Sequence, residues 1–191
     1  MPRAGVTSEL LVQAAAELAD EAGLEQVTAS ALARRFGVTV ASLYSHIESV
    51  AALRAAVAAL ALNELADQAA AALAGRAGKD ALVAFAGAYR DYASAHPGRY
   101  AAALSRLSPA VATPEMVAAG RRHTELNRAV LRGYGIPESG QTAAIRLIGS
   151  TVHGYLSLEA AGGFAYTDDV DDSWPQILAA LDVALRNWPA P

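Results

Sequence analysis

A run of small side chains at residues 39 to 42 has the chemistry needed to read the edges of DNA bases. The hydroxyls of Thr39 and Ser42 can hydrogen-bond to a base edge or a phosphate. The methyl groups of Val40 and Ala41 can contact the methyl group of a thymine, and side chains this small allow a helix backbone to approach the bases closely. These four residues are therefore predicted to form the leading edge of a recognition helix in the major groove of duplex DNA.

Larger polar side chains lie around this run and can orient it. The phenol of Tyr44 and the imidazole of His46 can each hold a phosphate and set the register on the duplex, and the alternative for Tyr44 is an ordinary core residue. Thr28 is predicted to cap the preceding helix, whose first N–H groups can face another phosphate. The predicted contacts to phosphates are therefore made by Thr28, Tyr44 and His46.

Catalytic and metal-binding arrangements are missing from the sequence. The chain has no cysteine, and its four histidines show neither an HExxH motif nor a spacing from carboxylates that suits zinc. A G-x-S-x-G elbow and a glycine-rich phosphate loop are also absent. We therefore predict no catalytic residue, no metal and no cofactor, and we expect the protein not to be an enzyme. His96 can be explained as a residue at the C-terminal end of a helix, before Pro97. His123 and His153 could line a cavity or be hydrogen-bonded core residues.

A second group of residues could surround a small molecule. Aromatic and aliphatic side chains recur on two consecutive predicted helices, and polar side chains follow on later ones. Such a combination is typical of an apolar pocket with a few polar groups that orient the ligand, but it is equally compatible with a plain hydrophobic core. The predicted effector pocket comprises Phe85, Tyr89, Tyr92, Leu104, His123, Asn127 and His153.

Helical periodicity and capping residues predict an all-α chain of nine helices to position these groups. The two short helices around Gly37 are separated by three residues, the spacing of a helix-turn-helix, and Leu43, Phe36 and Ile47 are expected to fill their core. Ser173 and Gln176 have the spacing of a capping box at the start of the last helix. The predicted helices cover residues 8–22, 29–36, 40–46, 50–74, 80–96, 98–107, 114–133, 139–161 and 174–188.

The composition agrees with an α-helical protein that does not span a membrane. Of 191 residues, 47 are alanine, the strongest helix former, and runs of β-branched residues with a period of two are absent. The longest apolar run, residues 55 to 62, is far shorter than a membrane span, and we see no signal peptide. We therefore expect a cytoplasmic protein without a membrane partner. The net charge of −4 argues against a general nucleic-acid coat.

Residues 7 to 54 resemble the DNA-binding domain of the tetracycline repressor (TetR) family of bacterial transcriptional regulators. The upstream helix that ends at Gly23 also matches, and residues 95–100, 152–154 and 159–163 look like the helical effector domain of one subgroup. The motif residues that carry the resemblance are Leu32-Ala33, Gly37-Val38-Thr39, Leu43-Tyr44, His46-Ile47, Ser49 and Leu53.

The resemblance implies a fold, a function and partners. It implies an N-terminal three-helix, helix-turn-helix DNA-binding domain at residues 1–50 and a C-terminal helical domain at residues 51–191 that binds an effector and dimerises. The implied protein is a homodimer that binds palindromic, double-stranded operator DNA in the bacterial nucleoid and responds to an unknown, partly apolar small molecule. Repression is the default by family analogy, and activation is also possible.

Dimerisation is expected through the last two long helices. Leu147, Ser150, Gly154 and Leu158 share one helix face, and Ile177, Leu181, Ala184 and Leu185 share another. Packed against a two-fold mate, these faces would form a four-helix interface, as the family implies. Both faces could instead pack inside one protomer.

The predicted DNA-binding domain is poor in positive charge. Val50 occupies a position where the family often has a lysine that meets a phosphate. Residues 28 to 46 contain Arg34 and Arg35 and no acid, within a first stretch of 50 residues that carries a net charge of −3. We therefore predict modest operator affinity that is strongly sensitive to salt, with little non-specific binding. The alternatives are a helical carrier or enzyme with a vestigial helix-turn-helix, and a DNA regulator without any effector.

Overall fold

A computed structural model describes residues 6–105, 113–164 and 170–189, and this part of the chain is helical without strands. Its nine α-helices agree with the number and order predicted from the sequence. A 3-10 turn at Leu24–Gln26 follows the first helix and was not predicted. The helices are α1 (Ser8–Ala22), α2 (Ala29–Phe36), α3 (Val40–Leu43), α4 (Val50–Leu73), α5 (Gly78–Ala95), α6 (Pro97–Leu104), α7 (Pro114–Leu131), α8 (Glu138–Ala160) and α9 (Val170–Arg186).

Side-chain caps begin the first four helices. Thr7, Thr28 and Thr39 each accept a hydrogen bond from the backbone N–H three residues ahead, at 3.2 Å. The Ser49 hydroxyl accepts one from the N–H of Ala52 at 3.0 Å. These contacts pair N–H groups that the first turn of a helix leaves without an acceptor. The predicted starts of α1 to α4 are therefore confirmed.

Several predicted boundaries differ from the structure by one or two residues, and three differ by three or four. Helix α3 ends at Leu43 rather than at residue 46, because the following N–H groups bond three residues back, as in the 2.8 Å contact from the N–H of His46 to the carbonyl of Leu43. Helix α6 ends at Leu104, where Ser105 turns to an extended conformation. The predicted capping box at Ser173 is wrong, because α9 already begins at Val170 and the Ser173 hydroxyl lies 3.1 Å from that of Tyr155.

The described residues divide into two compact units. The first contains residues within 1–64 and 95–119, and the second contains residues within 65–94 and 120–191. The core of the first unit is built from apolar residues of α1, α2, α3 and α4 together with Ala102 of α6. Leu43 is fully buried in this core, and Phe36 and Ile47 are partly buried and pack against the same core, as predicted.

A close helix contact holds α6 against α1 in the first unit. A Cβ atom placed on Gly98 would lie 2.0 Å from the backbone carbonyl carbon and oxygen of Ala19, so only glycine fits. The neighbouring backbone N–H of Arg99 donates to the Asp20 carboxylate at 2.8 Å. Helix α6 therefore lies directly on the C-terminal half of α1.

The second unit has its own hydrophobic core. Its largest buried side chains come from α4, α5, α8 and α9 and include Leu65, Phe85, Tyr92, Ile148, Leu178 and Leu185. In the described parts of the chain, no helix is long and apolar enough to cross a membrane.

Candidate nucleic-acid interface and ligand site

The turn between α2 and α3 fixes the geometry of the predicted recognition helix. Gly37 adopts a left-handed conformation with φ of 65°, and its backbone N–H bonds to carbonyls in the last turn of α2. A residue with a side chain would be strained at this φ. The chain can therefore reverse within three residues and begin α3 at Val40.

Helix α3 exposes the side chains predicted to read bases. Thr39, Val40, Ala41 and Ser42 are all exposed, and Val40 retains 39% of its accessible surface. Leu43 is 0% exposed and anchors the opposite face of the helix in the core. The structure thus brings the four predicted base-contacting residues together on one open surface.

The three predicted phosphate-contacting residues differ in exposure. Tyr44 is 50% exposed, which excludes the interpretation of it as a core residue of the protomer. Thr28 is exposed, and its hydroxyl already accepts the N–H of Ala31. The His46 side chain is half-buried, and its backbone carbonyl accepts a 2.8 Å hydrogen bond from the Ser8 hydroxyl. This last contact ties the end of α3 to the start of α1.

Positive charge near α3 is smaller than the sequence suggests. Arg35 of α2 pairs with Glu17 and Glu21 of α1, so its charge is neutralised locally. Arg54 similarly pairs with Glu25. Arg34 is exposed and forms no ion pair within the described residues. This single arginine carries most of the positive charge that the helix-turn-helix offers to phosphates.

The predicted effector pocket contains a linked set of polar groups in the second unit. The Tyr89 hydroxyl lies 2.6 Å from His123 Nδ1, and the rings of Tyr89 and His153 have centroids 5.5 Å apart. Asn127 donates its Nδ2 to the carbonyl of His123 at 2.9 Å, whereas its buried Oδ1 has no hydrogen-bond partner among the described residues. Burial, and secondarily the charge of His123, lowers the pKa of His153.

The apolar members of that predicted pocket are placed unequally. Phe85 and Tyr92 are buried in the second unit, and the rings of Phe85 and Tyr89 have centroids 4.6 Å apart. Leu104 belongs to the first unit and is 43% exposed. Six of the seven predicted residues therefore lie in the second unit.

An ionic cluster in the first unit was missed by sequence reasoning. Asp20 of α1 receives the backbone N–H of Arg99 and lies 3.2 Å from His96 Nδ1, and the guanidinium of Arg99 also reaches Glu64 of α4 at 3.2 Å. These groups join α1, α4 and α6. The sequence signal was Gly98-Arg99 directly after Pro97, which places a small residue and a cation in the first turn of a helix.

The described residues do not meet the requirements of a metal site. Within the described ranges, no group of three or more His, Asp or Glu side chains could hold a metal ion.

Comparison with known families identifies both parts of the chain. The family described as "Bacterial regulatory proteins, tetR family" matches residues 11–57, which include α2, α3 and the turn between them. The family described as "Tetracyclin repressor-like, C-terminal domain" matches residues 82–181.

Two relatives cover most of the chain. It is 36% identical over 168 residues to the uncharacterized HTH-type transcriptional regulator Rv0681 of Mycobacterium tuberculosis, covering 88% of this chain and 75% of the relative. It is 34% identical over 172 residues to the uncharacterized HTH-type transcriptional regulator YobS of Bacillus subtilis, covering 90% of this chain and 88% of the relative.

Solved structures share the fold at low sequence identity. A Rhodococcus sp. RHA1 protein of unknown function aligns with a TM-score of 0.74 and 22% identity, covering 100% of this chain and 98% of that one. BioQ with its double-stranded DNA operator aligns with a TM-score of 0.64 and 21% identity, covering 94% of this chain and 99% of that one. A TetR variant from Acinetobacter baumannii AYE in complex with minocycline aligns with a TM-score of 0.69 and 22% identity, covering 98% of this chain and 100% of that one.

The C-terminal match spans more than half of the 191 residues, and the N-terminal match falls on the helix-turn-helix. Together with the two relatives, these matches show that the chain belongs to the tetR family of bacterial regulatory proteins and is a DNA-binding transcriptional regulator.

Proposed function

We propose that the protein is a homodimeric repressor that binds palindromic operator DNA through α3 and is released by a small, partly apolar effector. The observation that carries the DNA-binding part is the geometry of α3, whose residues 39 to 42 are exposed while Leu43 holds the helix in the core. A helix presented in this way can enter a major groove without unfolding any part of its own unit.

The contacts divide into base readout and positioning. Val40 and Ala41 contact thymine methyl groups, and Thr39 and Ser42 reach a base edge or a phosphate. Tyr44, together with Thr28 and His46, contacts phosphates and sets the register. Residues 1–50 supply this interface, and residues 51–191 supply the effector site and the dimer contact.

Exposed apolar residues of α8 support dimerisation. Leu147, Ser150, Gly154 and Leu158 are all exposed in the protomer, and Leu158 retains 52% of its surface. On α9, Leu181 and Leu185 are buried within the second unit, whereas Val183 is 57% exposed. The interface we propose therefore uses the predicted face of α8 and a face of α9 centred on Val183 rather than on Leu181.

The effector acts by shifting a population of dimer conformations. DNA favours dimers whose recognition helices are about 34 Å apart, one turn of the duplex. An effector bound at Tyr89, His123, Asn127 and His153 that favours another separation lowers DNA affinity, and DNA lowers effector affinity by the same factor. Helix α4 provides a covalent connection, because it begins in the first unit and ends in the second. The protein acts where its operator lies, in the nucleoid of the bacterial cytoplasm.

Selection of bound duplexes from a random pool by the purified protein tests the DNA assignment. We expect an enriched palindrome whose half-sites are centred about one helical turn apart. A pool with no enriched sequence at any salt concentration would reject the proposal and favour a helical carrier.

Matched variants then test the contacting residues on the enriched duplex. Tyr44→Ala and Val40→Ala are each expected to weaken binding about fivefold to tenfold, corresponding to about 1 kcal/mol. Val117→Ala is the control, because Val117 is an exposed valine of the same unit that lies outside α3. Unchanged affinity of the Tyr44 variant would reject its proposed phosphate contact.

A further inference from the structure

The second unit contains a cavity of about 340 Å³, and none of the predicted effector residues lines it. It is formed by the end of α4, the residues that lead into α5 and the last turns of α7. Seven of its nine lining residues are alanine, leucine or glycine, and the other two are Arg76 and Arg132. No acidic residue among those described lines it.

The two arginines differ from their neighbours in lacking a carboxylate. On α7, Arg122 pairs with Asp67 at 2.6 Å and Arg128 pairs with Glu125 at 2.8 Å. Arg76 donates to the backbone carbonyl of Ala72 at 2.6 Å, and within the described residues neither Arg76 nor Arg132 forms an ion pair. In a protein with a net charge of −4, this cavity therefore keeps two cations available.

The start of α5 lies next to one residue that lines the cavity. A Cβ on Gly133, which lines the cavity, would lie 2.4 Å from the backbone nitrogen of Gly78, so the turn that follows α7 meets the first residue of α5. The first N–H groups of a helix have no intrahelical acceptor and carry partial positive charge. In α5 the acidic side chain of Asp80 lies in this first turn and offsets that charge, so the positive potential of the cavity comes from the two arginines.

We propose that this cavity binds an amphipathic anion, with its carboxylate or phosphate held by Arg76 and Arg132 and its apolar part against Leu73, Leu126 and Ala129. Arginine guanidinium groups suit such anions because their donors match the geometry of the oxygens. The volume falls at the lower end of the range for small-molecule sites, so the apolar part is short. This binding site goes beyond the proposed repressor function and does not depend on it.

Equilibrium dialysis with octanoate, and with 1-octanol as the uncharged match, tests the proposal in the full-length protein without DNA. We expect one saturable octanoate site per chain, with octanoate bound at least fivefold more tightly than octanol at low salt. Arg76→Gln with Arg132→Gln should weaken octanoate about tenfold, since each exposed charge contact contributes about 0.5 to 1 kcal/mol.

Two further variants separate this site from general charge effects. Arg128→Gln removes an arginine of the same helix that does not line the cavity, and it should leave octanoate affinity unchanged. Ala129→Phe fills the cavity while keeping both arginines, and it should block binding. Absence of saturable octanoate binding, equal affinity for octanoate and octanol, no loss in the double variant, or an equal loss in Arg128→Gln would each overturn the proposal.

Discussion

Replacing Gly98 by alanine should destabilise the protein through the contact between α6 and α1. The new Cβ would lie 2.0 Å from the carbonyl carbon and oxygen of Ala19 and 2.5 Å from the backbone nitrogen of Asp20. All three atoms belong to the backbone of α1, so no side-chain rotation can relieve the overlap. Helix α6 must move outward, which stretches the 2.8 Å hydrogen bond from the Arg99 N–H to Asp20.

The size of the effect follows from these two changes. Inserting a methyl group into a packed contact typically costs about 1 to 3 kcal/mol, and weakening a hydrogen bond to a charged group adds about 1 kcal/mol. We therefore expect the free energy of unfolding to fall by about 2 to 4 kcal/mol, which in a chain of this size lowers the Tm by about 5 to 15 °C.

Thermal unfolding followed by circular dichroism measures this change, at one protein concentration because the proposed dimerisation would make the Tm concentration-dependent. Gly120→Ala is the matched control. Gly120 lies inside α7, and an added Cβ would meet nothing within 4 Å, so alanine should stabilise that helix by about 0.5 to 1 kcal/mol. The two variants should therefore shift the Tm in opposite directions. A Gly98→Ala protein that melts at or above the wild-type temperature would show that the backbone of α1 does not exclude a side chain at this position.

Three other outcomes concern charge, burial and titration. Because Arg35 is already paired and Arg34 is not, Arg34→Ala should reduce the salt slope of operator binding by about one ion per protomer, whereas Arg35→Ala should leave that slope unchanged. Equal slopes for the two variants in salt titrations would contradict this assignment. Leu43→Ala should lower the free energy of unfolding in urea by about 2 to 5 kcal/mol, whereas Val40→Ala should change it by less than about 0.5 kcal/mol; similar losses would mean that α3 is not oriented as described. Burial lowers the pKa of His153, so the unfolded chain binds more protons below about pH 6.5, and stability present above that pH is lost as the pH falls. His153→Leu should reduce this loss of Tm between about pH 7 and pH 5, and an unchanged pH profile would exclude His153 as its source.

The salt prediction revises the expectation from the sequence. The sequence showed two arginines and no acid in residues 28 to 46, which suggested strong salt sensitivity. The structure pairs Arg35 with glutamates of α1, which lie more than ten residues earlier in the chain. With fewer free cations to displace counterions from phosphates, we now expect a shallow salt slope.

Local chemistry explains which structural features were predictable. The caps at Thr7, Thr28, Thr39 and Ser49 depend on bonds that span three residues, so the sequence places them correctly. The exposed face of α3 follows in the same way from the periodicity around Leu43.

Contacts between distant residues could not be predicted from one sequence. The contact between Gly98 and Ala19, and the cluster of Asp20, His96 and Arg99, join residues almost 80 positions apart. The start of α9 was wrong for a related reason, because Ser173 contacts Tyr155 of α8 instead of capping its own helix. Periodicity and capping rules contain no information about which helices pack together.

The packing of α6 on α1 means that the first unit is not a contiguous stretch of sequence. A fragment cut after α4 would leave the core alanines of α1 without Ala102 of α6, and it would remove the N–H and guanidinium groups that surround Asp20. Such a peptide keeps every residue of α3, but it exposes apolar surface to water and leaves the Asp20 carboxylate without its partners on Arg99. Truncation would therefore weaken the DNA-reading part by a route unrelated to its DNA contacts, and single substitutions in the intact chain separate the two effects.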